Sequence, residues 1–156
     1  NLFVDNNIVL FDIDKKYYDI LNYDLKRNLG VEVKNGFATL NDKIFISDDF
    51  EFNNNIIDVL KASTGKWKKC IYPYDCDGNL IPFDKLDKNV KKYLKEYKLD
   101  LMNHGAKLDS EWYAFGRSQA IRDVKFNKIA INTCIRDIDS IKLEKVLAGS
   151  GVYSGL

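Results

Sequence analysis

Four residues, Asp75-Cys-Asp-Gly78, lie between two short apolar runs, Cys70-Ile-Tyr-Pro-Tyr74 and Asn79-Leu-Ile-Pro-Phe83. An Asp-Gly pair framed in this way signals a tight hairpin, because glycine enters the positive φ of such a tip without steric cost. An antiparallel pair is therefore expected near the middle of the chain. A helix is expected soon after it. Asp84 or Asp87 can cap Lys88 to about Asn103, with Val90, Tyr93, Leu94, Tyr97 and Leu101 on one face and Lys91, Lys92, Lys95 and Lys98 on the other. The lysines read as a solvated face, and His104-Gly105 as the stop.

The remaining chain is read by the same rules. Ile8-Val-Leu-Phe11 is a strand, and Asp12 or Asp14 caps a helix running to about Asn28. Val31-Glu-Val33 and Lys43-Ile-Phe-Ile46 are expected strands around a loop in which Gly36 supplies positive φ. Ile56 to Lys61 is expected to form one or two helical turns, and Ser63 to Lys69 a basic loop. Thr64-Gly-Lys66 lacks the first glycine and the trailing hydroxyl of a phosphate-binding loop. Lys128 to Arg136 alternates as a half-buried strand, with Ile129, Ile131, Thr133 and Ile135 inward and Lys128, Asn132 and Arg136 outward.

Charge becomes informative once it is divided by region. Residues 1–60 hold 6 basic and 11 acidic side chains, net −5, and residues 61–156 hold 18 and 12, net +6. The second part is where a polyanion is expected to bind. Cys70, Cys76 and Cys134 are odd in number and have no paired C-x-x-C spacing, as expected of a reduced cytoplasmic protein. No apolar run approaches the roughly 20 residues of a membrane helix, so no membrane partner is expected. The chain reads as a fragment of a longer protein.

Asp109-Ser-Glu-Trp-Tyr-Ala-Phe-Gly-Arg-Ser-Gln-Ala120 concentrates aromatic, cationic and amide side chains. Read as a strand, it places Tyr113, Phe115, Arg117 and Gln119 on one face, opposite Trp112, Ala114, Gly116 and Ser118. Two readings follow. Arg117 can fork onto guanine or a phosphate, Gln119 can pair with adenine, and Gly116 can admit a sugar-phosphate backbone. Alternatively this is a Trp- and Phe-anchored core strand whose polar residues face water.

Three ordered segments carry a resemblance: Lys34-Asn-Gly-Phe-Ala-Thr-Leu-Asn-Asp-Lys-Ile-Phe-Ile46, Ile71-Tyr-Pro-Tyr-Asp-Cys-Asp-Gly-Asn-Leu-Ile81, and Trp112-Tyr-Ala-Phe-Gly-Arg-Ser-Gln119 with Lys128-Ile-Ala-Ile131. Together they resemble the target-recognition region of N6-adenine DNA methyltransferases from restriction-modification systems. The resemblance implies an α+β DNA-specificity module over residues 30–156, with small mixed or antiparallel sheets and a few packed helices, and residues 1–29 as the link from a catalytic domain outside this sequence. It implies double-stranded DNA and that catalytic domain as partners, and S-adenosylmethionine as the cofactor of the full-length parent. The family's catalytic segment carries a Pro-Pro pair, whereas the prolines here are Pro73 and Pro82. No catalytic residue and no cofactor are therefore expected within this chain, and the fragment alone is expected to be inactive.

On this reading Arg117 and Gln119 approach bases. Lys34, Asn35, Thr39, Asn41, Lys43, Ser118, Arg122, Lys125, Lys128 and Arg136 contact phosphates or base edges. Two alternatives stand beside it. Asp75, Asp77 or Glu111 could serve a metal-dependent hydrolase or nuclease, although the turn lacks the remaining oxygen ligands and no metal site is expected. Tyr72, Tyr74 and Trp112 could anchor a protein-interaction module.

Overall fold

A computed structural model describes residues 2–5, 8–11, 32–103, 109–132, 135 and 137–154. The chain divides into two units, Asn1–Val33 and Lys34–Leu156. In the first, β1 (Leu2–Asp5) pairs antiparallel with β2 (Ile8–Phe11), Leu2 opposite Phe11 and Asp5 opposite Ile8. The strand expected at Ile8 is present, and its partner is the segment before it. The helix expected from Asp12 or Asp14 to Asn28, and the stop at His104-Gly105, lie outside the described residues.

The second unit is a small mixed α+β fold. Its central sheet has the order β4-β3-β7, from β3 (Ile56–Lys61), β4 (Lys66–Ile71) and β7 (Gly151–Tyr153). β3 and β4 form an antiparallel hairpin, while β7 runs parallel to β3. The helical expectation for Ile56–Lys61 is thus overturned, as is the basic loop over Lys66–Lys69. Val59 and Leu60 are adjacent and both fully buried. They are buried on opposite faces of a strand covered from both sides. Val59 packs with Phe37, Cys70 and Tyr153 in the main core, and Leu60 with Ala130 and Val146 in a smaller one.

Lys43-Ile-Phe-Ile46 is also not a strand. Asp42–Phe45 forms the single helical turn α1. Ile44 and Phe45 are neighbours buried in one core, which a strand would split between two faces. The chain bends into this turn at Leu40, whose φ is 60°. Glu32 and Val33 form no strand, and Val33 is 85% exposed. Gly36 does not carry a positive φ; a β-carbon there would lie 2.5 Å from the Val152 carbonyl oxygen, so glycine is needed for close approach to β7.

The central hairpin forms as read: Tyr74 bridges Leu80, the Asp75 N–H donates to Asn79 O at 2.9 Å, and Gly78 has φ 79°. Asp87 caps the following helix by accepting the Asn89 N–H at 2.8 Å. That helix is interrupted at Tyr97 into α2 (Lys88–Glu96) and α3 (Lys98–Asn103), with Val90, Leu94 and Leu101 buried.

The expected strand through Trp112 is absent. Asp109–Glu111 is a 3-10 turn, and Trp112 and Tyr113 both pack on Phe83, with ring centroids at 5.0 and 5.2 Å. Successive residues of a strand could not share that neighbour.

β5 (Lys128–Ile131) pairs antiparallel with β6 (Leu143–Val146), and here the expected faces are exchanged. Ile129 is 74% and Ile131 44% exposed, and Ile135 is also exposed, while Ala130 and Asn132 are buried. The small Ala130 fits beneath Leu60 and Val146. Asn132 is buried because it closes the connection to β6, donating to Ser140 O at 3.0 Å and accepting the Lys142 N–H at 2.8 Å. Thr133 and Arg136 lie outside the described residues.

Candidate functional site

Two tyrosine hydroxyls hold the loop that carries Arg117 and Gln119. Tyr74 Oη accepts the Phe115 N–H at 2.7 Å, and Tyr72 Oη donates to the Ile121 carbonyl at 2.9 Å. Burial pushes both phenols up, Tyr74 to about 12 and Tyr72 further, so both stay protonated. Between these anchors the backbone docks on residues 38–39. Gly116 N–H donates to Thr39 O at 3.2 Å, and Arg117 and Ala38 exchange bonds of 3.0 and 3.3 Å. A β-carbon on Gly116 would run into the Leu40 side chain, so Leu40 fills the space expected for a sugar-phosphate backbone.

Beyond Arg117 the chain turns sharply. Ala120 has φ 59°, a left-handed conformation that costs a non-glycine residue about 1–2 kcal/mol. The 3-10 turn Ile121–Lys125 follows, anchored by buried Ile121 and Val124. Buried and exposed positions alternate tightly here, leaving Arg117, Ser118, Gln119, Arg122 and Lys125 exposed.

A cavity of about 590 Å³ opens at this turn, within the size range of small-ligand pockets. Lys34, Asn35, Gly78, Ser118, Gln119 and Arg122 are among the residues that line it. A β-carbon on Gly78 would sit 2.7 Å from Arg122 Cγ, so the stem of Arg122 rests on the hairpin tip. Lys34 pairs with Asp123 at 3.2 Å and Lys125 with Asp77 at 2.9 Å. Both pairs are solvent-exposed, hence weak and exchangeable for another anion. Among the described residues neither Arg117 nor Arg122 pairs with a carboxylate.

Five of the twelve expected contact residues thus meet around one concavity: Lys34, Asn35, Ser118, Gln119 and Arg122. Arg117 belongs to the same loop, and Lys125 is tied to the residue before Gly78. The others are disposed differently. Thr39 is buried, with its hydroxyl bonded to the Asp42 carboxylate and accepting the Asn41 N–H. The Asn41 carbonyl starts α1, on which Lys43 is exposed. Lys128 is half-buried and donates to Phe126 O and Ser150 O, each at 2.9 Å, in the manner of a staple. Burial pushes its pKa down, against the opposing pull of Asp123. Arg136 lies outside the described residues.

Sequence reading missed Gly78, Ala120 and Asp123 as cavity walls. The Asp77-Gly78 tip was legible as a turn, but nothing local announces its contact with Arg122, which depends on packing between segments far apart in sequence.

Of the acidic residues offered for metal chemistry, Asp75 serves the turn, Asp77 pairs with Lys125, and Glu111 ends the separate 3-10 turn Asp109–Glu111. Asp75 accepts from the Asn79 and Asp77 N–H groups, each at 2.9 Å, and from the Asn79 amide at 3.1 Å, which holds its carboxyl below the usual range. Among the described residues no three His, Cys, Asp or Glu side chains gather as a metal set. No helix among them is long and apolar enough to cross a membrane. No protein-family model, curated protein or solved structure matches the chain. The donors around the cavity, guanidinium, ammonium and amide, suit recognition of a polyanion whose edges also carry hydrogen-bonding groups.

Proposed function

We propose that the chain is a sequence-reading, double-stranded DNA-binding domain, with the loop Gly116–Arg122 as its reading element. The observation that carries this is the gathering of Lys34, Asn35, Ser118, Gln119 and Arg122 around one cavity beside Arg117. Arg117 supplies a bidentate donor for a guanine edge and Gln119 a paired donor and acceptor for an adenine edge, while Lys34 and Arg122 supply charge for phosphates. The resemblance noted above extends the reading to a target-recognition module of an N6-adenine DNA methyltransferase. Methyl transfer from S-adenosylmethionine would then belong to a catalytic domain of the parent, acting on an adenine turned out of the duplex.

Selection from a randomised duplex library tests the proposal. A defined motif should emerge with the unaltered chain and lose definition with Gln119→Ala; recovery of unselected sequence would sink it.

Tyr72, Tyr74 and Trp112, the anchors expected of a protein-interaction module, are buried, but the exposed side of β5–β6 favours that second reading on other residues. Ile129, Ile131 and Leu143 form an uncovered apolar face, and single exposed apolar residues are ordinary whereas contiguous ones are not. Salt-dependent duplex binding separates the two, since apolar association survives salt that abolishes phosphate contacts.

A further inference from the structure

We propose that β6 pairs edge to edge with the β6 of a second copy of this chain, antiparallel and centred on Leu143. No group in this pairing belongs to the cavity or its loop, so it stands independently of DNA binding. The backbone of the β5–β6 ladder supplies the first observation. The Asn132 N–H donates to the Lys142 carbonyl at 3.4 Å, and the register sets Ala130 opposite Glu144 and Ile131 opposite Leu143. Hydrogen-bonded pairs alternate along an antiparallel ladder, so Lys142, Glu144 and Val146 bond toward β5. Leu143 and Lys145 therefore point their N–H and C=O groups away from it. The sheet order gives β6 no other neighbour, and among the described residues nothing bonds those groups. An edge of this kind is a template for another strand.

The segment is also open on both faces. Side chains alternate, so Leu143 and Lys145 share the outer face with Ile129 and Ile131, while Glu144 and Val146 share the inner face with Ala130. Every residue from 141 to 145 is exposed, those of the inner face included. β5 differs, because its inner-facing Ala130 is buried against Leu60 and Val146. A strand can reach residues 141–145 without displacing anything that covers them.

Charge selects the occupant. A two-fold axis through Leu143 sets Lys142 opposite the partner's Glu144, and Glu144 opposite the partner's Lys142. Both pairs fall on the inner face at non-hydrogen-bonded positions, where side chains approach most closely. Leu143 meets its own copy, apolar on apolar, and Ile141 meets the stem of the partner's Lys145. Neighbouring registers lack this match: centring on Lys142, Glu144 or Lys145 sets that charge against itself. A two-fold axis through Ala130 of β5 sets Lys128 against Asn132 and forms no charge pair. Lys142-Leu-Glu144 is thus complementary to itself, as an isologous interface requires.

Sedimentation velocity of the full chain over a concentration series, with hydrogen exchange at the Leu143 and Lys145 amides, tests the pairing. The contact is small, so a weak dimer should form as concentration rises, and exchange at both amides should slow with it. Glu144→Lys sets lysine against lysine at both pairs, and Lys142→Glu sets glutamate against glutamate; each should weaken dimerisation by about tenfold. An equimolar mixture of the two variants sets every lysine against a glutamate again and should restore association. Both positions are exposed, and circular dichroism would verify that each variant folds. A chain that stays monomeric up to about 1 mM overturns the inference. So does dimerisation that both variants retain, or a mixture that associates no better than its components. Slow exchange at Leu143 and Lys145 in a monomer would give the edge to another segment of the same chain, and would overturn it too. None of these outcomes bears on duplex binding, which is measured separately.

Discussion

Tyr74 and Phe115 are joined by a hydrogen bond of 2.7 Å from the Phe115 N–H to the tyrosine hydroxyl, and their rings also pack edge to face at 5.1 Å. The contact ties the middle hairpin to the start of the reading loop. Tyr74→Phe keeps the ring and removes the acceptor, leaving a buried N–H without its partner. We expect a loss of about 1–3 kcal/mol in urea unfolding. Duplex affinity should also fall, since Arg117 lies two residues beyond the lost anchor. Unchanged stability would show that this bond does not hold the loop.

The same phenols set a limit at high pH. Burial pushes Tyr74 and Tyr93 up to about 12, and Tyr72 higher. Unfolded tyrosine ionises near 10, so from about pH 10 upward the folded state binds more protons than the unfolded state. Stability is therefore whole below pH 10 and declines as pH rises toward 12. Melting temperature across this range, followed with tyrosinate absorbance, should show unfolding and phenol ionisation occurring together. Phenols that ionise near pH 10 with the fold intact would contradict the burial.

β5 distinguishes the observed faces from those expected by polarity. Ile129→Thr alters an exposed side chain and should change stability by no more than about 0.5 kcal/mol. Ala130→Leu overfills the space below Leu60 and Val146 and should cost about 1–3 kcal/mol. Thermal unfolding of the two variants decides the matter, and the opposite ranking would restore the expected orientation.

What could be read from sequence was what short range determines. The Asp77-Gly78 tip and the Asp87 cap involve residues within a few positions of one another, and both formed as expected. Errors fell where long-range packing overrode local pattern. The helical expectation for Ile56–Lys61 failed because two cores, contributed by distant segments, cover both sides of β3. Asn132 and Lys128 read as outward because they are polar, yet each is turned onto backbone groups that close the β5–β6 region. For the cavity, residue types were legible, including Arg122 and Lys34. Their meeting through Gly78 and Asp123 was not, because it depends on tertiary contact across scores of residues.

Gly78 is the place where hairpin geometry and cavity shape are inseparable. Alanine there is strained by φ 79° and also collides with Arg122 Cγ. Gly78→Ala should therefore destabilise the fold by about 1 kcal/mol or more and displace Arg122. Gly65, with φ 69° and open space around it, provides the control: Gly65→Ala has the backbone strain without the collision. Similar loss of stability in both, with duplex affinity reduced only in Gly78→Ala, is the expected result. Equal affinities would mean that the position of Arg122 is irrelevant to binding.

The lysines give the sharpest separation between contact and scaffold. Lys34 is exposed at the cavity and paired across the surface with Asp123, so Lys34→Ala should barely alter folding while lowering the salt slope by about 0.9 and weakening all duplexes alike. Lys128 is half-buried on two carbonyls, so Lys128→Ala should cost about 1–3 kcal/mol of stability and leave the salt slope of the folded protein unchanged. Arg117→Ala should differ from both, relaxing preference at one position of the motif by about 1–3 kcal/mol, since its guanidinium has no carboxylate partner among the described residues. Unfolding curves and duplex titrations at two salt concentrations resolve all three. If Lys128→Ala flattens the salt dependence as strongly as Lys34→Ala, Lys128 is a phosphate contact and the two carbonyls do not retain its ammonium when DNA is bound. If Arg117→Ala leaves both affinity and preference unchanged in a folded protein, base reading belongs to Gln119 and Asn35, on the cavity itself.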